Sequence, residues 1–326
     1  MLYNSKMELY SELNSIKNYK SVCIIGHISP DADALASMMV FRNFLISKFN
    51  LNKVDIFAES SKLQPQQKML LDNVTLNPET CNYEVAIMMD SPNTERLGIY
   101  KSLFDSADLK IVIDHHQTNM YQGDINIVQQ QSSTCEIVYD IVQNFEYNLS
   151  QPEMEKIYAG IITDTNNFSV GKINNKTFKI VSEIIDNVDS EEIYNNFFRN
   201  NSLKNMQILS TAIRNISTSE NNQIIISHIT PEEAETLHAH FDDYVGIINR
   251  LATINNSKLV CFTYPKHESF YVSMRARGGY KISHLATKHG GGGHDGAAAF
   301  LTNKSIQEIE EEILEDFKIL INEKNN

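Results

Sequence analysis

The chain has 326 residues, 42% of them hydrophobic and 21% charged, which points to two domains with proper cores and excludes wholesale disorder. Its formal net charge of −13 argues against a broad surface for long duplex DNA or RNA, but allows a small anion held by a few local cations and favours the concentration of divalent ions. No apolar run approaches the roughly 18–20 residues of a membrane span, and the polar N-terminus "MLYNSKMELYSELNSIKNYK" has no apolar signal core, so a cytoplasmic protein without a membrane partner is expected.

Residues 1 to 187 alternate short apolar runs with helical patterns. Strands are predicted at Ser21–Gly26, Val54–Ala58, Val85–Asp90, Lys110–Asp114 and Asp124–Val128, with helices at Ala34–Lys48 and Thr134–Asn144. "VAIMM" and "IVI" are continuously apolar, as in strands buried on both faces, and the alternation is that of an open α/β sheet. "SQPEMEKIYAGIITDT" opens a further helix, with Ser150 as N-cap and Pro152 in the first turn. Helices follow at Lys176–Asn187, Ser190–Asn200 and Lys204–Asn215. The polar stretch 217–223 reads as the start of a second unit. That unit begins with the strand "QIIISHI" and a helix capped by Thr230 and Glu233. The strands "KLVCFTY" and "FYVSMRAR" come next, then a helix running into "HGGGGH" and a last strand "AAAFLT". A final amphipathic helix is capped by Ser305 and Glu308. Cys23, Cys81, Cys135 and Cys261 form no CxxC pair, so neither a zinc knuckle nor a disulfide framework is expected, and Cys23 and Cys135 read as core.

Chemistry gathers at the ends of apolar runs. "GHISPDADALAS" places His27, Asp31 and Asp33 after the first one; others end at Asp90, at Asp114-His115-His116 and at Asp164. In a parallel sheet the carboxyl ends of strands line the ligand crevice. So many carboxylates together repel one another unless cations lie between them. Asp31 and Asp33, two apart, point in different directions, so each could serve one of two neighbouring ions, and a shared carboxylate such as Asp90 could bridge them. Histidine and carboxylate without thiolate suit Mn(II), with Mg, Co, Fe or Zn as alternatives.

"GHISPDADALAS", "MMDSP", "DHHQTN" and "GIITDTNNF" resemble, in order and rough spacing, the four motifs of the DHH phosphoesterase family. "SMRAR…HGGGGHDGAAAF" resembles the signature of the DHH-associated C-terminal domain. Length and pairing are most similar to the nanoRNase/pAp-phosphatase branch. The resemblance implies an N-terminal DHH metal-binding domain over 1–187, a helical linker over 188–216 and a substrate-binding domain over 217–326. It implies two divalent ions, most simply Mn(II): His27, Asp31 and Asp90 on one, and Asp33, Asp90, His115 and Asp164 on the other. His116 would face the scissile phosphate, supported by Asp114. Asn119 and the turn Ser132–Thr134, with Ser133 at its centre, are expected on the substrate side.

In the second domain, Arg275 and Arg277 share a strand face by alternation and suit phosphate. The resemblance implies that Arg275 and His294 grip a substrate phosphate and that Gly291, Gly292 and Gly293 border the nucleotide. Asp295 and Ala299 depart from the family pattern, which often has Pro and Gly there. Expected substrates are short RNA or DNA oligonucleotides, linear dinucleotides or 3′-phosphoadenosine 5′-phosphate (pAp), with long nucleic acid excluded and a homodimer as the assembly to test for. A family II inorganic pyrophosphatase is the first alternative, though its Arg-Lys-Lys cluster is not found here. A non-catalytic nucleotide-binding regulator is the second.

Overall fold

The central strands of the first half carry continuous apolar runs, VCII, VAIMM and IVI, because both their faces are covered. β1 (Ser21–Ile25), β2 (Lys53–Phe57), β3 (Val85–Met89), β4 (Leu109–Asp114) and β5 (Ile125–Val128) form a sheet in the order β2-β1-β3-β4-β5, every neighbouring pair parallel. The structure is a computed structural model that describes residues 10–59, 63–72, 74–79 and 82–325, with the backbone alone at His294 and Asn325. Cys81 and the first nine residues of the polar N-terminus lie outside the described residues.

The two-residue period of a strand divides the side chains between two cores. Val22, Ile24, Val85, Ile87, Ile111 and Ile113 pack with three helices: α1 (Ala32–Phe49), α2 (Thr134–Asn144) and α3 (Gln151–Asp164). Cys23, Ile25, Ala86, Met88 and Val112 pack on the other face with Phe57, Leu97 and Phe104. α1 starts where Pro30 interrupts the chain and Asp31 accepts a hydrogen bond from the Ala34 amide (3.0 Å); it ends at Asn50, whose φ of 53° stops the helix. α3 opens with a capping box between Ser150 and Glu153.

Two compact units divide the chain, Met1–Asn200 and Asn201–Asn326. The stretch expected as a linker is helical, and its two helices serve different cores. α4 (Ser190–Phe198) packs Ile193 and Phe197 on the first unit, whereas α5 (Leu203–Arg214) buries Ile208 and Ala212 in the second.

The second unit holds a mixed sheet of β6 (Ser217–Ser219), β7 (Ile224–His228), β8 (Leu259–Lys266), β9 (Ser269–Ala276), β10 (Gly292–His294) and β11 (Ala297–Thr302), ordered β10-β11-β9-β8-β7-β6. Only β7 and β8 run parallel. One face packs against α6 (Ile306–Asn325) through Ile309, Ile313, Phe317 and Ile321, which recur every fourth residue. The other face packs against α5 and Ile247–Leu251. No helix among the described residues is long and apolar enough to cross a membrane.

Candidate metal centre

The first sheet has a switch point. From β1 the chain moves outward to β2, then returns to place β3 on the other side of β1, which opens a crevice beyond the carboxyl ends of β1 and β3. His27 follows β1, Asp31 and Asp33 open α1, Asp90 follows β3, and Asp114 ends β4 just before His115 and His116. Asp90 has a φ of 55°, a left-handed conformation uncommon outside glycine, while its amide still donates to Ile113 O (3.0 Å). Asp164 is the last residue of a helix, α3, as the pattern of "SQPEMEKIYAGIITDT" implied. A carboxylate there meets the negative end of the helix dipole, a poor position without a cation nearby.

These side chains converge on Asp90. Its Oδ2 lies 3.8 Å from His27 Nε2, and its Oδ1 lies 3.5 Å from His115 Nε2 and 3.9 Å from His116 Nδ1. His27 Nε2 is also 4.0 Å from Asp31 Oδ2, and His115 Nε2 is 3.5 Å from Asp164 Oδ2. Three groups result whose ligand atoms lie within 4.8 Å of one another: His27-Asp31-Asp90, Asp33-His115-Asp164 and Asp90-His115-His116. The divergence expected of Asp31 and Asp33 is plain. Asp31 is half-exposed at the helix start, whereas Asp33 is buried and accepts from the amides of Thr134 (2.6 Å) and Cys135 (3.0 Å) at the start of α2.

Both central histidines are oriented alike. His27 Nδ1 faces the carbonyl of Ile28 at 2.8 Å, and His115 Nδ1 faces that of Gln131 at 3.3 Å. A carbonyl only accepts, so His115 Nδ1 carries the hydrogen and its Nε2 turns a lone pair toward the carboxylates, whereas His27 Nδ1 also lies 3.2 Å from the Arg96 guanidinium, which only donates. Burial, reinforced by the neighbouring Asp90, pushes the Asp33 carboxyl well up; burial and Asp31 do the same to Asp90. Asp164 is pushed up to about 6, chiefly by burial. Burial opposes charge on His115, but Asp90 and Asp164 outweigh it and raise its pKa. A cluster of acids that resists ionisation, with the His115 lone pair aimed into it, fits divalent cations, which would supply the missing positive charge.

His116 is different. Its Nδ1 donates to Asp114 Oδ1 (2.7 Å), and that bond raises the ring's pKa. Burial acts to raise the pKa of Asp114, but the bonds from His116 and Asn119 and the nearby imidazoles together outweigh it and hold the carboxyl below its ordinary value. Asn119 is buried and fully used inside the fold: its Nδ2 donates to Asp114 Oδ2 (2.6 Å) and Ser91 O (3.2 Å), and its Oδ1 accepts from the Tyr121 amide. Ser133 is likewise buried, as the N-cap of α2, accepting from the Glu136 amide (3.2 Å). The side chains of both residues, expected beside substrate, are occupied in holding Asp114 and α2.

In the second unit, Arg275 is half-buried, and its Nε donates to Asn249 Oδ1 (3.0 Å). β9 ends at Ala276, so Arg277 lies beyond the strand, exposed. Sheet register lines up His294, Ala297 and Arg275 in one row, and Gly292, Ala299 and Ser273 in another. Gly291 cannot be larger: an added Cβ would stand 2.2 Å from Ala299 O. Asp295 accepts from Ser283 Oγ (2.5 Å) and lies 3.6 Å from Lys281 Nζ.

Thr134 and Gly160 support the centre in ways the sequence reading did not assign. Thr134 Oγ1 donates to Asp90 Oδ1 at 2.7 Å. A Cβ on Gly160 would lie 2.3 Å from Cys135 Sγ and 2.8 Å from Asp33 Oδ1. The signal for Gly160 was available, since a glycine inside a helical apolar run needs a packing reason.

A parallel sheet with a His and Asp cluster at its switch point, joined to a mixed sheet bearing a glycine turn, defines a known pairing of domains. Residues 21–164 match the DHH family, N-terminal domain, and residues 221–323 match the DHHA1 domain. The chain belongs to the DHH phosphoesterase family. It is 26% identical over 289 residues to the bifunctional oligoribonuclease and PAP phosphatase NrnA of Bacillus subtilis (strain 168), covering 86% of this chain and 89% of that one. It is 26% identical over 325 residues to the protein of the same name from Thermus thermophilus, covering 96% and 94%. In fold it is similar to an exopolyphosphatase-related protein from Bacteroides fragilis, with a TM-score of 0.79 at 23% identity over 97% of this chain and 98% of that one.

Proposed function

We propose that this chain is a two-metal phosphoesterase of the cytoplasm that hydrolyses very short oligonucleotides and linear dinucleotides and removes the 3′-phosphate of pAp. The observation that carries the reading is Asp90, a buried carboxylate within 3.5–3.9 Å of three histidines on two other strand ends. The names of the Bacillus and Thermus relatives, oligoribonuclease and PAP phosphatase, support the substrate class.

The residues present fit two ions, with Asp90 between them: His27 and Asp31 on one side, Asp33, His115 and Asp164 on the other. Mn(II) suits this mixture of imidazole and carboxylate. When bound, such ions polarise a phosphoryl oxygen and make a bound water acidic enough to serve as hydroxide. The protein's own groups do the rest. Asp33 is fixed by two backbone amides, the Gln131 carbonyl fixes the tautomer of His115, and the Ile28 carbonyl and the Arg96 guanidinium hold the His27 ring. Asp114 keeps a proton on His116, whose side chain is 40% exposed and offers its Nε2 to the charge that develops on phosphorus oxygens. Arg275, its Nε on Asn249, takes a phosphate of the substrate with His294 and the glycine turn.

A hydrolysis panel tests this: pAp, the linear dinucleotide pApA, RNA of two to ten nucleotides, and pyrophosphate, each with Mn(II) and with chelator. Turnover of pAp and the shortest RNAs, abolished by chelator, is expected. Turnover of pyrophosphate alone would remove the nucleotide reading in favour of a pyrophosphatase.

A further inference from the structure

A cavity of about 160 Å³ lies beside the metal centre, lined by Gly26, His27, Ile28, Glu59 and the segment Leu97–Tyr100. We propose that it is a nucleobase pocket, selecting substrates by the base of the nucleotide whose phosphate is taken at the metal centre; this rests on the phosphoesterase reading above.

Location is the first argument. His27 forms part of the wall and, through Nε2, part of the centre, so a phosphate there lies next to the cavity. Size is the second, since an apolar cavity of about 150 Å³ suffices to bind benzene. Chemistry is the third. The walls are Ile28, Leu97, Ile99 and the Tyr100 ring, and Ile28 and Ile99 remain 42% and 85% exposed. Glu59 is the only acid of the lining, which also holds the His27 ring, and neither Lys nor Arg contributes. A carboxylate accepts hydrogen bonds and repels phosphate, so the pocket suits a neutral ring with an N–H edge, as on adenine or guanine. Glu59 and Tyr100 both line the cavity.

The pocket is also built in advance. The Ile28 amide donates to Arg96 O (2.6 Å), tying one wall to the other. Gly98 turns between them at a φ of 58°, and a Cβ there would stand 2.6 Å from Ile28 Cγ2. The Tyr100 ring packs on Phe57 at 5.4 Å.

Calorimetric titration of the Mn(II)-loaded protein with AMP and with ribose 5-phosphate, which share the phosphate and differ in the base, tests the pocket without hydrolysis. AMP is expected to bind about ten-fold more tightly, the scale of one base–aromatic stack. Tyr100→Ala should remove most of the difference and Tyr100→Phe should keep it. Should Tyr100→Ala fail to fold, Ile99→Ala at its exposed position is expected to shrink the difference instead. Equal affinities in the unaltered protein, or a difference indifferent to these substitutions, would overturn the proposal. Base-dependent binding with no turnover in the panel above would leave the pocket standing and remove the phosphoesterase reading alone.

Discussion

Asp33 needs space as well as partners, and Gly160 provides it. Gly→Ala inside a helix ordinarily stabilises by up to about 1 kcal/mol. Here the new methyl would meet Cys135 Sγ and Asp33 Oδ1, both held by neighbouring elements, so the sign reverses. Gly160→Ala is expected to destabilise by about 1–3 kcal/mol, measured by denaturant unfolding, and to weaken Mn(II) binding. Much at this scale was legible. The spacing of Asp31 and Asp33 already implied two directions, and the Asp-His-His run implied two roles for its histidines. Asn119 and Ser133 were not, because a short polar side chain can cap a helix, hold a buried acid or meet substrate equally well. Which one it does depends on Asp114 and Glu136 arriving from folding, not on local sequence.

Elements were read well where one rule dominated. The continuous apolar runs VCII, VAIMM and IVI marked the central parallel strands, since a doubly covered strand reads that way. The run ending at Asp164 was readable as a helix from its capping signals, Ser150 and Pro152, although most of its length is apolar. Arg277 was placed on β9 by alternation, but the strand stops one residue earlier, where its amide donates to Lys258 O instead. Pairings between distant elements carry no local signature. His228 at the end of β7 donates to Glu310 on α6 (2.7 Å), a bond that raises the imidazole pKa. A raised histidine contributes fully below its unfolded value, about 6.5, and loses that contribution as pH rises through the folded value. His228→Gln should therefore lower the melting temperature more at pH 6 than at pH 9, by the equivalent of about 1 kcal/mol. An equal loss at both pH values would show that the pair adds no charge-dependent stability.

At the scale of the molecule, the sequence conveyed two α/β units and the order of their motifs, which the DHH and DHHA1 matches bear out. It did not convey how 188–216 is shared, because α4 and α5 are both amphipathic and nothing local assigns either to a core. Burial accounts for the thiols as well: it pushes Cys23 and Cys261 up to about 12 and Cys135 well up, so all three are packing groups rather than ligands. Among the described residues the proposed centre then draws on imidazole and carboxylate, arranged around Asp90. The most direct measurement of that claim is Mn(II) binding followed by electron paramagnetic resonance, comparing the unaltered chain with Asp90→Asn. Two ions per chain with a spin-coupled spectrum, reduced in the variant to weak uncoupled binding, is the expected result. A single isolated ion, or a coupled pair that survives Asp90→Asn, would contradict the account.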